Sequence, residues 1–192
     1  MRIAYAIYYL IAYPFVRFIF PCRFIGLENI PQGPLIVCAN HTSLMDPVQI
    51  AIAFGIKRQL FFMAKAELFK IPVFGAILKS AGVFPIVRGE TDITSIRTAI
   101  KRLKSGHQIM MFPEGTRVSE DELVAAKSGA VRIATKLKVP VLPIFISSGK
   151  KAFRCAKLVI GEPYMMENPV NKNYEPLSNE LMGKIHALEN KS

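Results

Sequence analysis

A histidine and an aspartate separated by four residues, His41 and Asp46, are the strongest candidates for chemistry in this chain. The apolar run 35–39 before His41 predicts a buried strand. Asp46 followed by Pro47 predicts a helix start, with Asp46 as the cap. The intervening loop can bring the carboxylate to the imidazole. The pair would then suit a base that takes a proton from an alcohol. An ordinary loop histidine beside a helix cap is the alternative.

Other charged side chains also follow predicted strands, at the points where helices or turns begin. Strands that alternate with helices indicate an α/β domain, in which the loops leaving the strand ends build the site. Three cations beside a His–Asp pair point to an anionic substrate with a hydroxyl to be deprotonated. The side chains concerned are Lys65 with Glu67, Arg88, and Glu114 with Arg117.

The composition limits the class of protein. The chain has 192 residues, enough for one domain with a sizeable core, and 51% of them are hydrophobic. Its formal net charge of +11 favours an anionic partner: a lipid surface, a phosphorylated substrate or nucleic acid. Nucleic acid is disfavoured, because there is no zinc-finger spacing, no aromatic RNA-binding motif and no Trp.

The cysteines and histidines do not indicate a metal site. Cys22, Cys38 and Cys155 are far apart and form no CxxC, so neither a zinc site nor a redox pair is expected. Such usage favours a reducing, cytoplasmic-side location. His107 and His186 have no matching local pattern, whereas a catalytic zinc usually takes three protein ligands.

Residues 3–20 form the most apolar segment, which is rich in Tyr and interrupted by Pro14. We expect an interfacial helix or bent hairpin lying in one leaflet, with its Tyr side chains at the headgroup level. A terminal helix packed on the core and a single membrane span are the alternatives. We therefore predict a membrane-associating segment over 1–24 and a catalytic domain over 25–192. The expected location is the cytoplasmic face of the cell membrane, with monotopic or peripheral attachment.

Two later elements carry further expectations. The spacing within 91–105 predicts a helix that buries one apolar face, formed by Ile93, Ile96, Ile100 and Leu103. The prolines in the predicted strand 139–146 favour an edge position or irregular pairing near its start.

Taken together, these motifs resemble the 1-acylglycerol-3-phosphate acyltransferase family of the bacterial PlsC type. The order and spacing of the blocks match over about residues 25 to 147. One departure is that the second block has Ile86 and Val87 where the family often carries a polar residue. The matching blocks are 40–46, 65–75, 82–88, 112–117 and 139–143.

The resemblance implies a single-domain glycerolipid acyltransferase-type fold, a mostly parallel or mixed sheet flanked by helices. His41 would be the general base and Asp46 would orient it, and the acceptor oxygen would attack an acyl thioester directly. Arg117, Arg88 and Lys65 would hold the acceptor phosphate.

The resemblance also assigns lesser roles and partners. Glu114 would position Arg117 or the acceptor, and Gly115 with Thr116 and nearby amides would help form an oxyanion site. The apolar acyl path would be lined by Val141, Leu142, Pro143 and Ile144. No metal or prosthetic group is implied. The expected partners are lysophosphatidate, a thioester of acyl carrier protein or coenzyme A, and an anionic membrane surface.

Two alternatives remain open at this point. The same chemistry would serve another acceptor, such as glycerol 3-phosphate, another lysophospholipid, or an amino-acid-headed or sugar-headed lipid. A basic peripheral lipid-binding module would explain the charge and the N-terminal segment, but not the His–Asp pair. That reading predicts no measurable effect of His41→Ala.

Overall fold

The computed structural model describes residues 3–87, 92–117 and 126–191. Within these ranges the chain forms one seven-stranded sheet flanked by helices. The strands are β1 (Cys22–Ile25), β2 (Leu35–Ala39), β3 (Leu60–Lys65), β4 (Phe84–Ile86), β5 (Gln108–Met111), β6 (Val141–Ile146) and β7 (Ala156–Ile160). The helices are α1 (Ile3–Ile19), α2 (Asp46–Phe54), α3 (Pro72–Ala81), α4 (Ile93–Lys104), α5 (Gly129–Leu137) and α6 (Glu175–Ala187).

The strand order is β1-β7-β6-β2-β5-β3-β4. All the pairings are parallel except that between β6 and β7, which is antiparallel. The predicted mostly parallel or mixed α/β sheet is therefore confirmed. Because β2 to β6 all run in the same direction, their carboxyl ends lie along one edge of the sheet.

Alternate residues of the central strand β2 enter two separate cores. Leu35 and Val37 pack in one apolar cluster with Ile50 of α2. Ile36 and Cys38 pack in the other with Val131 of α5. A strand that is covered on both faces reads as a continuous apolar run, which is why the sequence reveals it so clearly.

Strand β6 lies inside the sheet, between β2 and β7, so the predicted edge position is wrong. Irregular pairing near its start is present: the regular ladder to β7 begins only at Ile144, after Pro143. The Pro143 carbonyl accepts a hydrogen bond from the Gly161 amide at 2.9 Å. The proline nitrogen faces the same side, where β7 is ending, so no ladder hydrogen bond is lost within the regular part of the strand.

Helix α4 turns a slightly different face inward from the one predicted. Ser95, Ala99 and Leu103 are buried, whereas Ile93 is 57% exposed. The helix begins at Ile93, because the Asp92 side chain caps it by accepting a hydrogen bond from the Ser95 amide. A residue in the first turn projects beyond the sheet that the helix covers.

Helix α1 packs on α2 and α3 through its tyrosines. The Tyr8 and Ser80 hydroxyls lie 2.8 Å apart, and the Tyr9 hydroxyl donates to the Ile52 carbonyl at 3.2 Å. Tyr5 is buried. These three side chains therefore dock the helix on the domain. The first strand of the sheet begins at Cys22, and the predicted division into a membrane-associating segment and a catalytic domain stays a prediction.

The outer side of α1 is apolar and exposed. Its side chains recur at helical spacing, and α3, which contacts α1, exposes apolar side chains as well. No helix among residues 3–87, 92–117 and 126–191 is long and apolar enough to cross a membrane. The exposed apolar side chains of α1 and α3 are named the α1–α3 apolar surface. They are Ile3, Ile7, Leu10, Ile11, Phe15, Phe18, Val73, Phe74 and Ile77.

Candidate active site

The sheet order brings three of the chain's loops together. Strand β2, which leads to His41, lies between β5, which leads to Glu114, and β6, which leads to Lys150. Strand β3, which ends at Lys65, lies one place further along the same edge. The predicted convergence of polar side chains at strand ends therefore follows from the topology.

Asn40 fixes the end of β2 against β6. Its side-chain amide donates to the Ile146 carbonyl, and its side-chain oxygen accepts from the Ile146 amide, both at 2.8 Å. The side chain thus replaces a backbone pairing after the strand ladder ends. His41, the next residue, starts from a fixed position.

Asp46 organises the loop that carries His41. Its Oδ2 lies 3.0 Å from Nδ1 of His41 and accepts the amides of Thr42 and Ser43 at 2.8 and 2.7 Å. Asp46 was expected to cap its own helix. The N-cap position instead falls on Met45, without a side-chain cap, and the carboxylate turns back over the preceding loop.

This geometry determines which imidazole nitrogen can act as the base. Burial alone would raise the pKa of Asp46, but hydrogen bonds from His41 and Ser43, together with the adjacent Lys150 ammonium group, hold that pKa below its ordinary value. An ionised Asp46 accepts hydrogen bonds only, so Nδ1 of His41 must donate. In a neutral ring Nε2 then carries the lone pair, which makes it the available proton acceptor.

Lys150 is a contributor that the sequence analysis missed. Its Nζ lies 2.7 Å from Oδ1 of Asp46, and its side chain is only 2% exposed. A lysine in a glycine-containing loop more than a hundred residues from Asp46 carries no local signal of this contact. Only the pairing of β6 with β2 brings the two together.

The turn after β5 supports His41 from the other side. The Phe112 ring stacks on the imidazole, with centroids 3.9 Å apart. Glu114 accepts the His41 amide at 2.8 Å and is buried. No salt bridge joins it to Arg117 in the described part of the chain. Burial raises the pKa of Glu114 to about 7, opposed by the His41 amide and assisted by Asp46.

The Gly115 turn is also closely packed. Gly115 has φ +71°, and a Cβ added there would lie 2.7–2.9 Å from atoms of the Lys127 side chain. The Lys127 amide donates to the Pro113 carbonyl at 2.7 Å. Lys127, which the sequence analysis did not single out, therefore lies across this turn and places a further cation there. Thr116, the next residue, is exposed.

The cations predicted to bind phosphate are placed differently from one another. Arg117 is exposed. Lys65 has a half-exposed side chain, and its Nζ lies 3.6 Å from Oε1 of Glu67. An exposed pair of this kind is weak, so Lys65 can turn to a ligand at little cost. Arg88 lies outside the described residues.

The residues predicted for the acyl path lie within the sheet core. Val141, Leu142 and Ile144 have no exposed surface, and Pro143 is buried between them. Leu142 and Ile144 face one apolar cluster and Val141 the other. That these four residues line the acyl path stays a prediction.

Among residues 3–87, 92–117 and 126–191, no group of three or more His, Cys, Asp or Glu residues is arranged to hold a metal ion. The three cysteines are free; Cys22 and Cys38 are buried.

A histidine paired with a buried aspartate at the carboxyl edge of this sheet suits proton transfer from a substrate hydroxyl, and sequence comparison identifies the class of enzyme. Residues 21–147 match the model of the Acyltransferase family. The chain belongs to this acyltransferase family and is an enzyme of that class.

Individual relatives agree with this assignment. The chain is 36% identical to the 1-acyl-sn-glycerol-3-phosphate acyltransferase of Bacillus subtilis, over 85% of this chain and 86% of that protein. It is 40% identical to the enzyme of the same name from Streptococcus pneumoniae, over 57% of this chain and 40% of that protein. The crystal structure of the 1-acyl-sn-glycerophosphate (LPA) acyltransferase PlsC from Thermotoga maritima superposes with a TM-score of 0.71 and 27% identity, covering 98% of this chain and 78% of that one.

Proposed function

We propose that this enzyme transfers an acyl chain from a thioester to the free sn-2 hydroxyl of 1-acylglycerol 3-phosphate, making phosphatidate for phospholipid synthesis. The observation that carries the proposal is the contact between Nδ1 of His41 and the buried Asp46, which leaves Nε2 as a base. The names of the relatives from Bacillus subtilis and Streptococcus pneumoniae support the choice of acceptor.

In the first step, Nε2 of His41 takes the proton of the acceptor hydroxyl as the oxygen attacks the thioester carbonyl. The positive charge that develops on the ring is stabilised by Asp46, whose Oδ2 already accepts from Nδ1. The new carbon–oxygen bond gives a tetrahedral intermediate with a negatively charged oxygen.

In the second step, the carbon–sulfur bond breaks and the thiolate takes the proton held on Nε2. The negatively charged oxygen of the intermediate is stabilised by hydrogen-bond donors that already point at its position before the reaction. The Gly115 amide donates to the Phe112 carbonyl at 3.0 Å, so we assign this role first to the neighbouring Thr116 amide. A role for Gly115 would require that turn bond to open.

The acceptor phosphate is assigned to Arg117, Arg88 and Lys65. The guanidinium fork of Arg117 suits two phosphate oxygens, and its exposure leaves it available. Lys65 lies at the end of β3 on the same edge. Glu114 is assigned to His41 instead, since it accepts that residue's amide.

The acyl donor is a thioester of acyl carrier protein or of coenzyme A. Both present the same carbonyl and the same thiolate leaving group. A net charge of +11 suits either the acidic carrier protein or the phosphates of the nucleotide. The chemistry calls for no metal or prosthetic group.

We further propose that the α1–α3 apolar surface rests on an anionic membrane at its cytoplasmic face, as a monotopic or peripheral attachment. Clusters of exposed apolar side chains mark interaction sites. Leu10, Phe18 and Val73 are 63%, 74% and 76% exposed. A lipid acceptor and a lipid product both require access to the bilayer.

The direct test incubates the purified chain in vesicles with lysophosphatidate and either acyl donor, and follows phosphatidate by mass spectrometry. His41→Ala should abolish product formation. His186→Ala, on the exposed side of α6, is the matched control and should behave as wild type.

Each outcome of this test has a definite meaning. Phosphatidate from wild type and from H186A, but not from H41A, supports the reaction and the role of His41. An active H41A would overturn the general-base mechanism. No phosphatidate with either donor would reject the acceptor, and glycerol 3-phosphate, other lysophospholipids and amino-acid- or sugar-headed lipids would be tested next.

A further inference from the structure

Lys150 lies directly behind the His41–Asp46 pair. Its Nζ is 2.7 Å from Oδ1 of Asp46, and the two side chains are 2% and 0% exposed. Oδ1 has no aligned hydrogen bond among the described residues, so the Lys150 charge is its principal partner. A carboxylate that is buried without a compensating charge is strongly unfavourable.

The other contacts of Lys150 join the two loops that border His41. Its Nζ donates to the Ser147 carbonyl at 2.5 Å and to the Thr42 hydroxyl at 3.4 Å. With the Asp46 carboxylate in contact as well, three protein oxygens surround the ammonium group. Lys150 therefore acts on the reaction through these neighbours.

We propose that Lys150 is a positioning residue for acyl transfer, which holds the Asp46 carboxylate in place and offsets part of its charge. Without that offset, Asp46 would favour the protonated imidazole more strongly, and less of the neutral ring would be available as a base. The expected effect of Lys150 on the rate of acyl transfer rests on the proposed function. Its expected effect on the titration of His41 is independent of the reaction.

The charged groups that face Asp46 determine the sign of the effect. They are His41, Lys150 and Glu114, whose own pKa the Asp46 charge raises. Removing the Lys150 charge leaves His41 in a more negative surrounding. The protonated fraction of the ring at a given pH then increases, and less base is available.

The test uses Lys150→Met, which keeps the length of the stem and removes the charge, together with Lys150→Arg and the control Lys151→Met. Lys151 is the adjacent lysine and is exposed. The readouts are the pH profile of kcat/KM and the titration of the His41 ring by NMR. In K150M we expect the acidic limb and the ring titration to move to higher pH by about one unit. K150R should restore much of the wild-type position, and K151M should match wild type.

A folded K150M with an unmoved His41 titration would overturn the proposal. If K150M does not fold, the double variant D46N/K150M decides, with urea unfolding as the readout. Charge compensation predicts that D46N restores folding in the K150M background. A double variant that also fails to fold would overturn charge compensation as the role of Lys150.

The NMR titration also separates this proposal from the proposed reaction. If wild type makes no phosphatidate but His41 titrates as expected in K150M, the reaction is wrong and the role of Lys150 stands. If phosphatidate is formed but the titration does not move, the reverse holds.

Discussion

Oε2 of Glu114 lies 2.8 Å from the backbone nitrogen of His41, so the turn after β5 holds the loop after β2. The contact joins residues 73 positions apart and uses the backbone of His41, which leaves its ring free for Asp46. Glu114 thus fixes the backbone of the base, and Asp46 fixes its ring.

Glu114→Gln should preserve this contact, because a carboxamide oxygen accepts the same hydrogen bond, whereas Glu114→Ala should lose it. An orphaned buried amide costs about 1–3 kcal/mol. We expect E114A to have a lower unfolding midpoint in urea and a lower rate than E114Q, whose rate should stay close to wild type. An E114A variant as active as E114Q would show that the contact does not matter. Glu162→Gln is an exposed control.

The same residue predicts a pH dependence of stability. Burial raises the pKa of Glu114 to about 7, above its ordinary value of 4.5. Its contribution to stability is therefore full below pH 4.5 and is lost as the pH rises to about 7. The Gln side chain of E114Q does not ionise. The free energy of unfolding of E114Q minus that of wild type should therefore increase between pH 5 and pH 8, as measured by urea unfolding at each pH. A constant difference across that range would contradict the assignment.

Asp46→Asn should reduce activity severely, although the Asn side chain has the same shape as Asp. A carboxamide can donate to Nδ1 of His41 and so favour the tautomer with the proton on Nε2, which is then no base. We expect kcat to fall by about 100- to 10,000-fold with little change in KM. NMR of the ring nitrogens reads the tautomer directly. A D46N variant with normal kcat would exclude the assigned role of Asp46.

Gly115→Ala can be compared with Gly106→Ala. Both glycines have positive φ, +71° and +78°, so both substitutions strain the backbone by about 1 kcal/mol. A Cβ at residue 115 would displace the flexible Lys127 side chain, whereas at residue 106 it meets nothing within 4 Å. Only G115A should raise the KM for lysophosphatidate. Equal KM values in the two variants would remove Lys127 and this turn from acceptor binding.

The phosphate-binding assignments predict an effect on KM that depends on the headgroup. Arg117→Gln should raise the KM for lysophosphatidate by about tenfold or more, since a hydrogen bond to a charged group is worth about 1.5–3 kcal/mol. Lys65→Gln should act in the same direction. Neither change should alter the KM for a monoacylglycerol, an acceptor without a phosphate. Arg97→Gln, at an exposed position of α4, is the control. Equal losses on both acceptors would contradict a phosphate contact.

The α1–α3 apolar surface predicts which substitutions release the enzyme from lipid. Leu10→Ser and Phe15→Ser remove exposed apolar side chains that no protein contact needs, and each should weaken co-sedimentation with anionic vesicles by about tenfold. Val170→Ser, at a site that is 78% exposed but outside this surface, should have no effect. Unchanged binding of all three variants would reject the surface as a membrane contact.

The elements that depend on near neighbours could be predicted from the sequence. The run 35–39 predicted β2, because a strand buried on both faces is continuously apolar. The four-residue gap between His41 and Asp46 predicted their contact, because a short loop constrains its own ends. The order and spacing of the five sequence blocks were enough to predict the family.

Which distant groups meet depends on the tertiary structure. Lys150 reaches Asp46, and Asn40 reaches Ile146, because β6 pairs with β2. The same pairing places Pro143 of β6 inside the sheet. The side of α1 that bears Tyr8 turns inward because α3 offers Ser80 there. Such contacts depend on strand order and packing, which leave no periodic signal along the chain.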